Sequence, residues 1–155
     1  MPSDEGQQAY VAGLKMLARR ELSEKQIRER LKRREYSADA IDAGVARLKE
    51  ARALDDSRFA FALARHEIST KRHGRLRAQR QIEAAGIPPA LAREALDETL
   101  ASLDPDALID AALGRRLRDG QGIEDDAAFR RLYRFLLTQG FESDRVIRIL
   151  KQRRR

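Results

Sequence analysis

The sequence contains no cysteine and no tryptophan, and only four prolines, five phenylalanines and three tyrosines in 155 residues. Without thiols there is no disulfide framework and no thiolate zinc site, which suits a reducing cytoplasm. The longest wholly apolar run, Phe59 to Ala64, is six residues, far short of the roughly 20 that cross a bilayer as a helix. The start, Met1-Pro2-Ser3-Asp4-Glu5, is polar and acidic and unlike a secretory leader. No stretch alternates polar and apolar residues in the manner of a strand, so the chain reads as all-α. Phe59, Phe129, Phe135 and Phe141 fall on apolar helix faces, which leaves no evident platform for stacking bases.

Chemistry-bearing groups are equally scarce. His66 and His73 are the only histidines; they lack a third ligand, Glu67 is expected to point away from them, and both read as solvated. The acidic doublets Asp55-Asp56 and Asp125-Asp126 stand at helix starts, where caps are expected rather than an acid pair. Gly120-Gln121-Gly122 has no Walker lysine and no preceding strand, so the segment 119–124 reads as a plain loop. Neither a catalytic constellation nor a cofactor or metal is expected.

Charge and helix periodicity remain. Charged residues make up 37% of the chain and apolar ones 42%, with a net charge of +7. That balance describes a folded protein with an acidic partner, nucleic acid being the commonest. Asp55 caps a helix that begins at Asp56, with Leu54 and Phe59 spaced as a hydrophobic staple. The device returns as Leu103-Asp104-Pro105, with Leu108 completing the staple and proline at the first helical position. Ser23 and Gln26 form a capping box, and Ser37 caps the next helix. Glycines at 86 and 140 suit the left-handed residue that closes a helix.

The helices expected from these signals run about 7–20, 24–34, 38–51, 56–71, 75–85, 89–103, 105–118, 126–139 and from 143 into the terminal arginines. Setting Glu35, Gly86 and Gly140 in register aligns Leu31, Ile82 and Leu136 before them and Tyr36, Ile87 and Phe141 after them. Three tandem three-helix repeats, 1–53, 54–103 and 104–155, account for the chain. Such arrays are elongated and curved and bury surface mainly between neighbours.

Positive charge concentrates at the end of each first helix and along each second helix. Residues 15–34 carry nine basic against three acidic side chains, and 65–80 carry six against one, whereas 81–103 carry one against four. At 100° per residue, Arg77 and Arg80 face away from Ala78 and Ile82, as Arg131 and Arg134 do from Leu132 and Leu136. A basic stripe is therefore expected, made of Lys25, Lys32 and Arg33; Lys71, Arg72, Arg75, Arg77 and Arg80; and Arg130, Arg131 and Arg134.

These residues resemble the RecX family, bacterial regulators of the RecA recombinase. The segment Leu17-Ala18-Arg19-Arg20-Glu21-Leu22-Ser23 with Leu31 is similar to its opening motif, and Leu54-Asp55-Asp56-x-x-Phe59-Ala60 to its most specific one. Gly74, Gly86-Ile87 and Phe135-Leu136-x-x-x-Gly140-Phe141 match later ones. Glu35 stands where glycine is common, and Gln139 where arginine is usual. The resemblance implies nine helices in three repeats. It also implies a non-enzymatic, cytoplasmic protein, a monomer without a membrane segment, that enters the groove of the RecA–single-stranded DNA filament without sequence preference and restrains strand exchange, ATP hydrolysis and LexA cleavage. Two other readings stay open: a helix-turn-helix protein that reads duplex DNA directly, and a repeat adaptor for acidic proteins. Against the first, the last helix of the middle unit is acidic, whereas a reading helix should be basic.

Overall fold

The computed structural model describes residues 4–118 and 120–155; Met1, Pro2, Ser3 and Asp119 lie outside the described residues. Among the described residues there are nine α-helices: α1 (Asp4–Arg19), α2 (Glu24–Arg33), α3 (Ala38–Glu50), α4 (Asp56–Arg65), α5 (Arg75–Ala84), α6 (Pro89–Leu100), α7 (Pro105–Leu113), α8 (Asp126–Thr138) and α9 (Ser143–Gln152). A single π-helical turn, His66–Thr70, continues α4. No helix is long and apolar enough to cross a membrane.

Local chemistry sets the helix starts. The Ser23 hydroxyl accepts the Gln26 N–H (3.2 Å) while Gln26 Oε1 accepts the Ser23 N–H (3.0 Å), a reciprocal capping box. Ser37 accepts from Ala40 N–H (3.1 Å), Asp55 from Arg58 N–H (3.1 Å) and Asp125 from Ala128 N–H (2.7 Å). The first acid of each doublet is thus a helix cap. Asp55→Ala should cost about 0.5–2 kcal/mol, as a lost cap does, read as a lower urea midpoint at unchanged slope; an unmoved midpoint would refute the capping role.

Three buried apolar clusters follow one another along the chain. The first gathers Ala9, Leu22, Ile27, Leu31, Val45 and Leu48, closed by Leu54. The second holds Phe59, Ala60, Ile68, Ala78, Ile82 and Leu96. The third holds Ile109, Leu113, Leu136, Phe141, Val146 and Leu150. Leu54 serves the first cluster and Phe59 the second, so the staple stands on the seam between repeats. Leu108 packs against both the second and third clusters and ties that seam likewise.

The structure corrects four sequence expectations. The α4 helix does not run evenly to Lys71: after Arg65 it widens to a π turn, with Lys71 N–H donating to the His66 carbonyl (3.0 Å), five residues back. The extra residue in this turn brings His73 back over Glu67. His66 is exposed as expected, but His73 is buried, with Nδ1 against the Glu67 carboxylate and its backbone N–H on the Glu67 carbonyl (2.9 Å). The α7 helix ends at Leu113 instead of Arg118, tightening into three-residue bonds from Arg115 N–H to Ala112 and from Arg116 N–H to Leu113. The terminal arginines leave α9 and strap the loop before α8, with Ile123 N–H on the Arg153 carbonyl (2.9 Å) and Arg155 N–H on the Ile123 carbonyl (3.1 Å).

Candidate nucleic-acid interface

The second helices of the three repeats are joined end to end. Gly74 N–H, at the start of α5, donates to the Gln139 carbonyl (2.7 Å), and Leu76 N–H donates to the Gly140 carbonyl (3.1 Å) at the end of α8. A helix start has spare donors and a helix end has spare acceptors, so each satisfies the other. At the next seam the Ser23 hydroxyl donates to the Ala85 carbonyl, and the Asp56 carboxylate accepts the Glu24 N–H (2.8 Å). Asp56, the second acid of its doublet, therefore serves the start of α2. The column runs α8, α5, α2, opposite to chain order.

Close approach at the seams dictates glycine. Gly140 has φ +100°, and a Cβ there would lie 2.4 Å from the Arg77 backbone nitrogen. Gly86 has φ +98°, and its Cβ would lie 2.4 Å from Cβ of Lys25. The third equivalent position, Glu35, is also left-handed (φ 66°) but exposed, at the uncovered end of α2. Glutamate stands there because no neighbouring repeat occupies the space its side chain needs. The helix break survives the loss of glycine.

The expected stripe residues are distributed along this column. Lys25, Lys32, Arg33, Arg72, Arg80, Arg130, Arg131 and Arg134 are exposed. Lys71 is exposed but reaches back to Glu67 (Nζ to Oε1 3.6 Å). Arg75 is held by Asp97 (2.6 Å). Arg77 is half-buried at the α5–α8 seam, where Nη1 donates to the Thr138 carbonyl (3.4 Å).

Acidic side chains are largely consumed elsewhere. Asp106 takes Arg148 and Arg145, whose guanidinium groups hold its carboxyl below the usual range. Burial raises the Glu24 carboxyl, but hydrogen bonds from Lys49 and Arg28 outweigh this and leave it lowered. Asp126 is lowered by Arg154, and Glu21 is paired with Arg58. No ion pair among the described residues uses Arg77, Arg80, Arg116, Arg131 or Arg134. The column keeps its positive charge uncompensated, the arrangement that attracts a polyanion.

Sequence reasoning missed Arg116, which it placed in the last turn of α7. The tight turn after Leu113 instead carries its guanidinium over the Phe135 ring, 4.4 Å from the centroid, beside Arg131 and Arg134. The run Gly114-Arg115-Arg116-Leu117-Arg118 was the available signal: glycine near a helix end, then arginines around one buried leucine.

The same architecture recurs in known proteins. The family model for the first three-helix domain of RecX matches residues 9–48, and that for the second matches 55–96, together just over half of the chain. The regulatory protein RecX of Chlorobium phaeobacteroides is 29% identical over 98% of this chain and 97% of its own length. That of Streptomyces coelicolor is 27% identical over 97% of this chain and 80% of its own. The crystal structure of RecX from Lactobacillus salivarius superposes with a TM-score of 0.74 at 19% identity, over 97% of both chains, and shares the fold. Two matching domain models in tandem, set on an all-α repeat array, place this chain in the RecX family of regulatory proteins.

Proposed function

We propose that this protein modulates the RecA recombinase by lying along the RecA–single-stranded DNA filament, chiefly as an inhibitor. The observation that carries the reading is the end-to-end column of second helices, whose arginines have no acidic partners and so offer one continuous basic surface. The name of the relatives, RecX, supports RecA as the target. The protein acts as a cytoplasmic monomer without chemistry of its own, and its contacting units are the repeats 1–53, 54–103 and 104–155. Because several repeats bind together, each contact after the first is intramolecular, and avidity outweighs any one arginine.

The test is the rate of ATP hydrolysis by RecA on single-stranded DNA. The wild-type chain should slow it without hydrolysing nucleotide itself. Arg77→Ala or Arg131→Ala alone should weaken inhibition modestly, whereas the combination with Arg80→Ala and Arg134→Ala should nearly abolish it. Circular-dichroism melts guard against unfolding, since exposed substitutions usually shift stability by about 0.5 kcal/mol or less. A folded quadruple variant that inhibits fully would sink the proposal. One preferred duplex sequence, bound in high salt, would favour the direct reader of DNA instead.

A further inference from the structure

The column is not uniform. Around the α8 end of the α5–α8 seam, Arg116, Arg131, Arg134, Phe135 and Thr138 line one groove. Its guanidinium groups come from two segments, the tight turn after α7 and helix α8, and a third reaches the rim from the neighbouring repeat. That third is Arg77, which donates to the Thr138 carbonyl (3.4 Å). Arg116 is held in place twice, by the burial of the adjacent Leu117 and by the Phe135 ring beneath its guanidinium. Arg134 is steadied by its Nε on the Arg130 carbonyl (3.4 Å). The nearest acids, Glu124 and Asp125, line the adjoining pocket with Arg116 and Arg131, and Asp125 is committed to the Ala128 N–H.

Converging guanidinium groups with no carboxylate among them repel one another unless an anion joins them. Arginine's planar fork matches phosphate in a bidentate way and stacks on flat groups at the same time. We propose that this groove is a phosphodiester site that anchors a single nucleic-acid strand at the seam between the second and third repeats. Arg131 and Arg134 hold phosphate, and the Arg116 plane lies where an unstacked base can rest on it, which a duplex does not offer. Arg77 comes from the other side of the seam, so the site is complete only while Gly74 and Gly140 stay in contact. The inference rests on the nucleic-acid reading above and narrows it to a place.

Fluorescence anisotropy of a labelled oligothymidylate, titrated with the full chain over a range of salt, tests this. Arg116→Ala with Arg131→Ala should weaken binding about tenfold or more, since each loses a charge-assisted bond. It should also lower the salt slope by about 1.4, at roughly 0.7 per phosphate for single strands. Lys32→Ala with Arg33→Ala, equally exposed at the far end of the column, should weaken it less than about threefold on the same count of charges. Arg116→Lys, which keeps the charge but not the plane, should hold the salt slope and still lose affinity. Equal losses from the two pairs would overturn the anchor and leave nucleic-acid binding intact. A groove pair that binds the oligonucleotide as wild type does but no longer inhibits RecA would assign the groove to an acidic protein surface and overturn the phosphate site. Failure of the wild-type chain to bind any single strand would instead remove the reading on which the site rests.

Discussion

Gly140→Ala should destabilise the chain by about 2–6 kcal/mol and abolish inhibition of RecA, although the residue carries no charge. Two costs combine. At φ +100° any side chain is strained, by about 1–3 kcal/mol. The added Cβ would also lie 2.4 Å from the Arg77 backbone nitrogen, and backbone cannot swing aside as a side-chain tip can. Forcing such an overlap costs a further 1–3 kcal/mol or so, or it opens the seam. Opening breaks the bonds from Gly74 N–H to Gln139 and from Leu76 N–H to Gly140, and so separates the third repeat's basic surface from the second's. Urea unfolding should then show a broader or two-step transition, because the third repeat melts apart from the others. Glu35→Gly is the contrasting variant: it relieves a left-handed glutamate at an uncovered helix end and should be neutral or stabilising by up to about 1 kcal/mol. If Gly140→Ala proved as mild as a surface change, the end-to-end seam would not be what holds the repeats in register.

That contrast shows where the sequence was legible. Caps and staples lie within five residues of one another, so Ser23 with Gln26, Asp55 with Arg58 and Leu54 with Phe59 could be read directly. The repeat was legible because the same local devices recur in register. Which helix end meets which was not, since the bonds at the seams join residues such as Gly74 and Gln139 that no spacing connects. The role of Asp56 was hidden for the same reason: its partner, the Glu24 N–H, belongs to another repeat. Arg116 was misplaced because a regular helix through Arg118 would have turned it differently from the tight turn that forms. The terminal arginines looked like a free basic end, yet Arg154 pairs with Asp126 and Arg155 donates to the Gly120 carbonyl (2.6 Å). Arg155 also packs over Gly122, where a Cβ would lie 2.3 Å from its Cγ.

The pair formed by Glu67 and His73 was the least legible feature, and it supports the second large effect. In a regular α-helix, positions six apart sit on different faces; the π turn at His66–Thr70 inserts the extra residue that brings them together. Glu67 is only 1% exposed and His73 9%, directly before the seam residue Gly74. A buried carboxylate needs partners, and Glu67 has two, His73 and the outlying Lys71. Removing the ring and removing the carboxylate therefore differ. His73→Leu strands a buried charge with one partially exposed lysine and should cost about 3–5 kcal/mol. Glu67→Met leaves a neutral imidazole short of one hydrogen bond, a loss of about 1–3 kcal/mol. The double variant replaces both polar groups with apolar ones of similar size and should recover much of the larger loss, because a buried ionic pair adds little net stability over good packing. Urea melts of the three variants complete a double-mutant cycle, with an expected coupling of more than about 1 kcal/mol between residues in direct contact. Additive losses, or a His73→Leu variant as stable as the wild type, would mean that the carboxylate is served by Lys71 and solvent and that the π turn is held by packing alone.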